Sequence, residues 1–172
     1  MAITTAAGIT STTVTTDQQA PLGFELVVPT PNAGDQVWIY VQCVVAQLNV
    51  GNAAMRPNGA PTYVAQPTTA ATAFQPARVI GVAQHTIAVN SYGFILKRGL
   101  GTVQAGNGAV VGADRGLTTA GTAVAGTFAD AVANASAITD TEAQIIAWCV
   151  VASAASGPAP AGSATALIDC KG

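Results

Sequence analysis

Charge is scarce in this chain. Six Lys plus Arg and eight Asp plus Glu make up 8% of its 172 residues, against about 25% in ordinary soluble proteins. A free monomer keeps itself dissolved with a mixed charged surface, so a chain this poor in charge is expected to cover much of its surface with partners. The basic residues are few and scattered and the net charge is −2, which leaves no clustered cationic face for phosphates. No nucleic-acid partner is expected. Long apolar runs are missing as well: the most continuous, Ile145 to Ala152, falls far short of the ~18 to 20 residues that span a bilayer, so no membrane partner is expected either. The opening MAITTAAGIT lacks the charged and apolar regions of a signal peptide, and the expectation is a protein made and used without secretion.

Cysteine and histidine are equally sparse. Cys43, Cys149 and Cys170 are odd in number and widely spaced, which builds neither a closed disulfide framework nor a C-x-x-C motif. Buried reduced thiols are expected, with a Cys43 to Cys149 bridge as the alternative on oxidation. The single imidazole, His85, has no acidic residue within ten positions, and Ser91 lacks a nucleophile-elbow context. It reads as a packing residue; a hydrolase using His85 as base is the rival. No catalytic residue, metal site or cofactor is expected: the Cys and His residues lack ligand spacing, and Gly106 to Gly112 sets its third glycine one place too late for a dinucleotide loop.

What is abundant is Thr, Ala, Gly and β-branched residues. Residues 1 to 22 are polar and without apolar periodicity, and read as an extended N-terminal arm pinned against a neighbouring subunit; residues 23 to 172 read as a single β-rich domain. A first strand is expected at Glu25 to Val28, stopped by Pro29 to Gly34. The strongest strand is Val37 to Val45, with both alternating faces largely apolar, as in a central strand covered on both sides. Val37, Ile39, Val41, Cys43 and Val45 are expected to fill a barrel interior. Trp38, Tyr40 and Val44 would then face an arm, a loop or another subunit, and form the interface candidate.

Leu48 to Pro76 carries four prolines and reads as a long loop with short strands. Arg78 to Thr86 and Tyr92 to Lys97 read as two strands joined at Ala88 to Ser91, followed by short strands at Gly101 to Val103 and Ala109 to Val111. Leu117 to Ala137 is too small in side chain and too repetitive to read. The Thr139 to Glu142 capping box would open a helix, but the β-branched run closed by Ser and Gly-Pro favours a strand within Ala143 to Ala152, with a last one at Ala166 to Ile168. The fold class is all-β: an antiparallel β-barrel or sandwich with an extended N-terminal arm and long Gly/Pro-rich loops. Trp38, Tyr40, Phe74, Tyr92, Phe94 and Trp148 are assigned to core and subunit contacts; an exposed Trp38–Tyr40 pair would instead favour a carbohydrate-binding module. Lys97 and Arg98, on a strand end, are candidates for docking on an acidic surface.

The order of these features, a polar arm, then Asp35 to Gln42, then Val79-Ile80-Gly81-Val82-Ala83 followed by Tyr92-Gly93-Phe94, and a Gly-rich tail ending near Ala166-Leu167-Ile168, resembles the capsid decoration (cement) and head structural proteins of tailed bacteriophages. The likeness is a pattern over about residues 20 to 170. It departs from the family where Phe94 stands at a position often held by Trp, and in carrying Cys149 and Cys170. The resemblance implies a virion protein on the capsid surface, assembled in the host cytoplasm. It implies a β-barrel subunit, commonly a homotrimer, seated where neighbouring major capsid proteins meet. Tail, fibre-base and head-vertex proteins share the same composition and are the closest alternative.

Overall fold

The computed structural model describes residues 8–31, 34–60, 63–68, 78–106, 113–114, 116–119, 125–130, 146–151 and 162–170. These are all-β, with no α-helix among the described residues. The strands are β1 (Glu25–Thr30), β2 (Gly34–Cys43), β3 (Ala53–Met55), β4 (Val64–Pro67), β5 (Val79–Val82), β6 (Tyr92–Gln104), β7 (Gly116–Thr119), β8 (Phe128–Asp130), β9 (Ala147–Val151) and β10 (Ser163–Asp169). They join in the order β1-β2-β4-β3-β5-β6-β10-β9-β7-β8, with β2 also paired to β6, and every strand pairing but β2–β4 is antiparallel.

The extra β2–β6 pairing closes a circuit, β2-β4-β3-β5-β6 and back to β2. A second circuit runs β6-β10-β9-β7-β8 and returns to the end of β6 through the parallel bridge of Ala105 with Phe128, tightened by Gly106 N donating to Phe128 O at 2.8 Å. Closure is how a small sheet rids itself of edges. The thirteen-residue β6 belongs to both circuits, and the local sequence explains how one strand serves two. Val37 pairs with Arg98 but Trp38 pairs with Leu96, so Lys97 is an extra residue, a bulge that turns the strand. Gly99 follows at φ 122°, a conformation side chains disfavour, and Gly101 lets Leu96 approach to where a Cβ would stand 2.5 Å from its Cδ2. Below the bend β6 pairs with β2; above it, with β10.

Two buried clusters lie on opposite faces of β2 and β6. The smaller draws on every strand of the first circuit: Ile39, Val41 and Cys43 from β2, Ala54 from β3, Ala65 from β4, Ile80 from β5 and Ile95 from β6. The larger takes the alternate residues Trp38, Tyr40, Phe94 and Leu96 and continues through Val103 into the second circuit. Each fully buried Ile or Leu here contributes about 1.5 to 3 kcal/mol relative to leaving it in water. Asn52, itself buried, links the circuits: its Oδ1 accepts from Asn49 N at 2.9 Å and its Nδ2 donates to Gln104 Oε1 at 2.9 Å.

Several expectations are corrected. Val45 is not interior but 75% exposed, because β2 ends at Cys43 and Ala46 N turns back to Val44 O at 2.7 Å with Val45 at φ 67°. The strand expected at Arg78 to Thr86 is only β5, since Gln84 instead turns its amide onto the backbone of Thr102, donating to the carbonyl at 2.9 Å and accepting from the N–H at 2.7 Å. The pieces expected at Tyr92 to Lys97 and Gly101 to Val103 are one strand, β6. The competition between helix and strand is decided for strand at β9, while Thr139 to Glu142 and Ala109 to Val111 lie outside the described residues. Cys43, Cys149 and Cys170 are all buried thiols.

Residues 8–22, the described part of the arm, lie along the chain's own body. Ile9 is buried in the larger cluster, with Ala20 and Leu22 packed against it. Thr15 forms a bridge with Tyr92, each N–H donating to the other's carbonyl at 3.0 and 2.8 Å.

Candidate functional site

The aromatic half of the expected interface is covered from within. Tyr40 is 1% exposed: Tyr92 stacks on it at 6.2 Å, Phe94 tilts against it at 5.0 Å, and its hydroxyl accepts a hydrogen bond from the arm at Gln19 N, 3.1 Å. Trp38 is 6% exposed; its Nε1 donates to Gln36 Oε1 at 3.3 Å and its ring lies nearly parallel to His85 at 6.5 Å. Both side chains lie in the larger cluster, on the face of β2 where Ile9 of the arm is also buried, and an arm is one of the three coverings, arm, loop or another subunit, expected of that face. The same burial removes the exposed aromatic pair that a sugar-binding surface at Trp38 and Tyr40 would need. Val44 is half-buried at the start of the tight turn beyond β2, its N–H held by Ala65 O at 2.8 Å.

The cationic pair separates. Lys97, the bulged residue, reaches across to Glu25 Oε1 at 2.7 Å; both side chains are substantially exposed, so water screens the pair and its worth is well under 1 kcal/mol. Arg98 is exposed, with Val37 as its Cα partner on one side and Asp169 on the other. Neither Arg98 nor Asp169 makes an ion pair or side-chain hydrogen bond within the described chain.

Those two residues begin a surface that the sequence analysis did not find. Along β6, Arg98, Leu100, Thr102 and Gln104 alternate with residues packed below, and along β10 Ser163, Thr165, Leu167 and Asp169 alternate with the buried Ala164, Ala166 and Ile168. The register sets the two rows side by side: Arg98 with Asp169, Leu100 with Leu167, Thr102 with Thr165, Gln104 with Ser163. Leu167 is 46% exposed, and Val150 on the adjoining β9 is 50% exposed. The signal was present in Ser163 to Asp169, where Ala164, Ala166 and Ile168 alternate with Ser163, Thr165 and Asp169, and Leu167 alone breaks the polar row.

His85 is half-buried, and neither ring nitrogen meets a hydrogen-bonding group among the described residues. Burial pushes its pKa below the ordinary 6.5, so the neutral ring is the resident form near pH 7. A general base needs a partner to orient it, and among the described residues the ring contact His85 makes is with Trp38. Among the described residues no three His, Cys, Asp or Glu side chains gather into a group that could hold a metal ion.

No protein-family model and no curated protein matches this chain. Among solved structures its trace is similar to that of the head fiber gp8.5 N base in bacteriophage phi29, at 14% sequence identity, over 78% of this chain and 94% of that one, with a TM-score of 0.46.

Proposed function

We propose that this chain is a non-enzymatic structural protein of a tailed-phage particle that binds the outside of the capsid at capsomer junctions and stabilises the expanded shell. The observation that carries the reading is a charge-poor chain folded into two edge-sparing circuits that still leaves the β6–β10 face, with Leu167, Val150 and the unpaired charges Arg98 and Asp169, open to solvent. Such a body is built to be held by neighbours. Its partners in this reading are the major capsid protein and further copies of itself, in the homotrimer that the sequence resemblance implies.

The mechanism is adhesion. A shell under internal pressure opens at the seams between capsomers, and a subunit that grips several neighbours at once converts weak contacts into tight attachment through effective concentration. Binding the expanded shell and not the unexpanded one stabilises the expanded form by mass action. The purified protein, mixed with undecorated expanded and unexpanded shells and imaged by electron cryo-microscopy, is expected to give regular density at capsomer junctions of the expanded form. Absence of shell density overturns the reading and moves the protein to a tail, fibre base or head vertex.

A further inference from the structure

The outer face of β6 and β10 is complementary to itself. Its rows are registered as Arg98 beside Asp169, Leu100 beside Leu167, Thr102 beside Thr165 and Gln104 beside Ser163. Consider a two-fold axis parallel to the strands and running between β6 and β10, above the sheet. It lays each β6 residue over the β10 residue of a second copy that it already neighbours in its own chain. Arg98 then meets Asp169 of the copy and the reverse, Leu100 meets Leu167, and the two threonines meet. Every contact is made twice, as a closed isologous interface requires.

The geometry points to this face as the seat of a second copy of the same chain, packed sheet on sheet with strands nearly aligned. Three observations converge on that occupant. The two charges on the face have no partner within the described chain, and the operation supplies each with the opposite charge. The apolar residue beside them, Leu167, is left 46% exposed and is matched by Leu100. The rest of the face is small or uncharged, so aligned sheets can approach to the ~10 Å of ordinary sheet packing. The inference rests on the register of β6 and β10 and not on the virion reading, so either can fail without the other. Where a three-fold contact also exists, the face joins trimers in pairs; in both cases the assembly holds an even number of chains.

The test is by mass in solution, using the full chain. Wild type is expected to sediment as an even multiple of the chain, a dimer at the simplest. Arg98→Asp leaves two acidic groups facing two acidic groups across the axis, and Asp169→Arg leaves basic groups facing basic ones, so each variant alone is expected at half the wild-type mass. An equimolar mixture of the two variants re-forms both opposite-charge pairs between chains, while neither chain regains a pair within itself; the wild-type mass is expected to return. Because charge reversal also acts on the fold of each chain, Thr102→Cys and Thr165→Cys supply a second reading: mixed and treated with a bis-maleimide whose reach matches the ~10 Å sheet separation, which a disulfide cannot span, they are expected to give a cross-linked pair of unlike chains. A wild type of odd-numbered mass, a mixture that stays at half mass with both variants folded, or a cysteine mixture without the linked pair overturns the inference.

Discussion

Gly126→Ala tests whether the buried polar joint between the two circuits governs stability. Gly126 sits at φ +80°, and a Cβ added there would stand 2.6 Å from Cγ of Asn52 and 2.9 Å from its Cβ. Three terms follow. The left-handed conformation costs Ala about 1 to 2 kcal/mol. The Asn52 side chain must move, and it is fully committed to Asn49 and Gln104; leaving such buried groups unpaired costs about 1 to 3 kcal/mol. Loss of glycine freedom in the unfolded chain returns about 0.4 to 1 kcal/mol. The net is a destabilisation of about 1 to 4.6 kcal/mol, centred near ~3, a large part of a typical domain's ~5 to 15. Gly59 is the control: it has φ +69° and nothing within 4 Å of an added Cβ, so Gly59→Ala carries the backbone term alone, about 1 kcal/mol net. Urea unfolding of the two variants measures the difference, and Asn52→Gly in the Gly126→Ala background should be markedly less than additive. Equal midpoints for the two alanine variants would falsify the joint as the source.

The arm offers a second measurement. Ile9→Asp places a charge in the larger cluster and is expected to free residues 8–20, seen as faster hydrogen exchange at the mutually bonded amides of Thr15 and Tyr92; unchanged protection would show that Ile9 does not anchor the arm. Burial lowers the folded pKa of His85 below 6.5, so the unfolded chain binds the proton better, and the stability this ring contributes is complete above pH 6.5 and lost as pH falls from there toward the folded value. His85→Phe keeps a ring on Trp38 and should flatten unfolding midpoints across that window; an unchanged slope refutes the assignment. Cys170 is pushed up to about 12, chiefly by burial with Asp169 adding and Lys97 opposing, which leaves roughly a thousandfold less thiolate than an ordinary thiol. Burial raises Cys43 too, against a hydrogen bond from the Leu48 backbone. Iodoacetamide at mildly alkaline pH should therefore spare both in the native protein and label them in urea, as mass spectrometry would read; rapid native labelling would refute their burial.

The sequence carried the strand class of β2, but not which of its faces looks where. Val37 to Cys43 is apolar at both parities, so periodicity marks a doubly covered strand and is silent on what covers it. Trp38 and Tyr40 therefore read as facing an arm, a loop or another subunit, and it is the arm that reaches this face, with Ile9 in the same cluster, Gln19 N on the Tyr40 hydroxyl and Thr15 bridged to Tyr92. Glycine misled in a second way. The pieces expected at Tyr92 to Lys97 and Gly101 to Val103 read as separate strands, whereas Gly99 and Gly101 bend one strand and admit Leu96, a use of the missing Cβ that local sequence does not distinguish from a break. Arg98 was legible because charge is rare in this chain, but its setting was not, since β10 was expected at only Ala166 to Ile168, too short to display an alternation. The observed Ser163–Asp169 shows it in full, and the partners of that face follow from a register of strands some sixty residues apart, which no local pattern encodes.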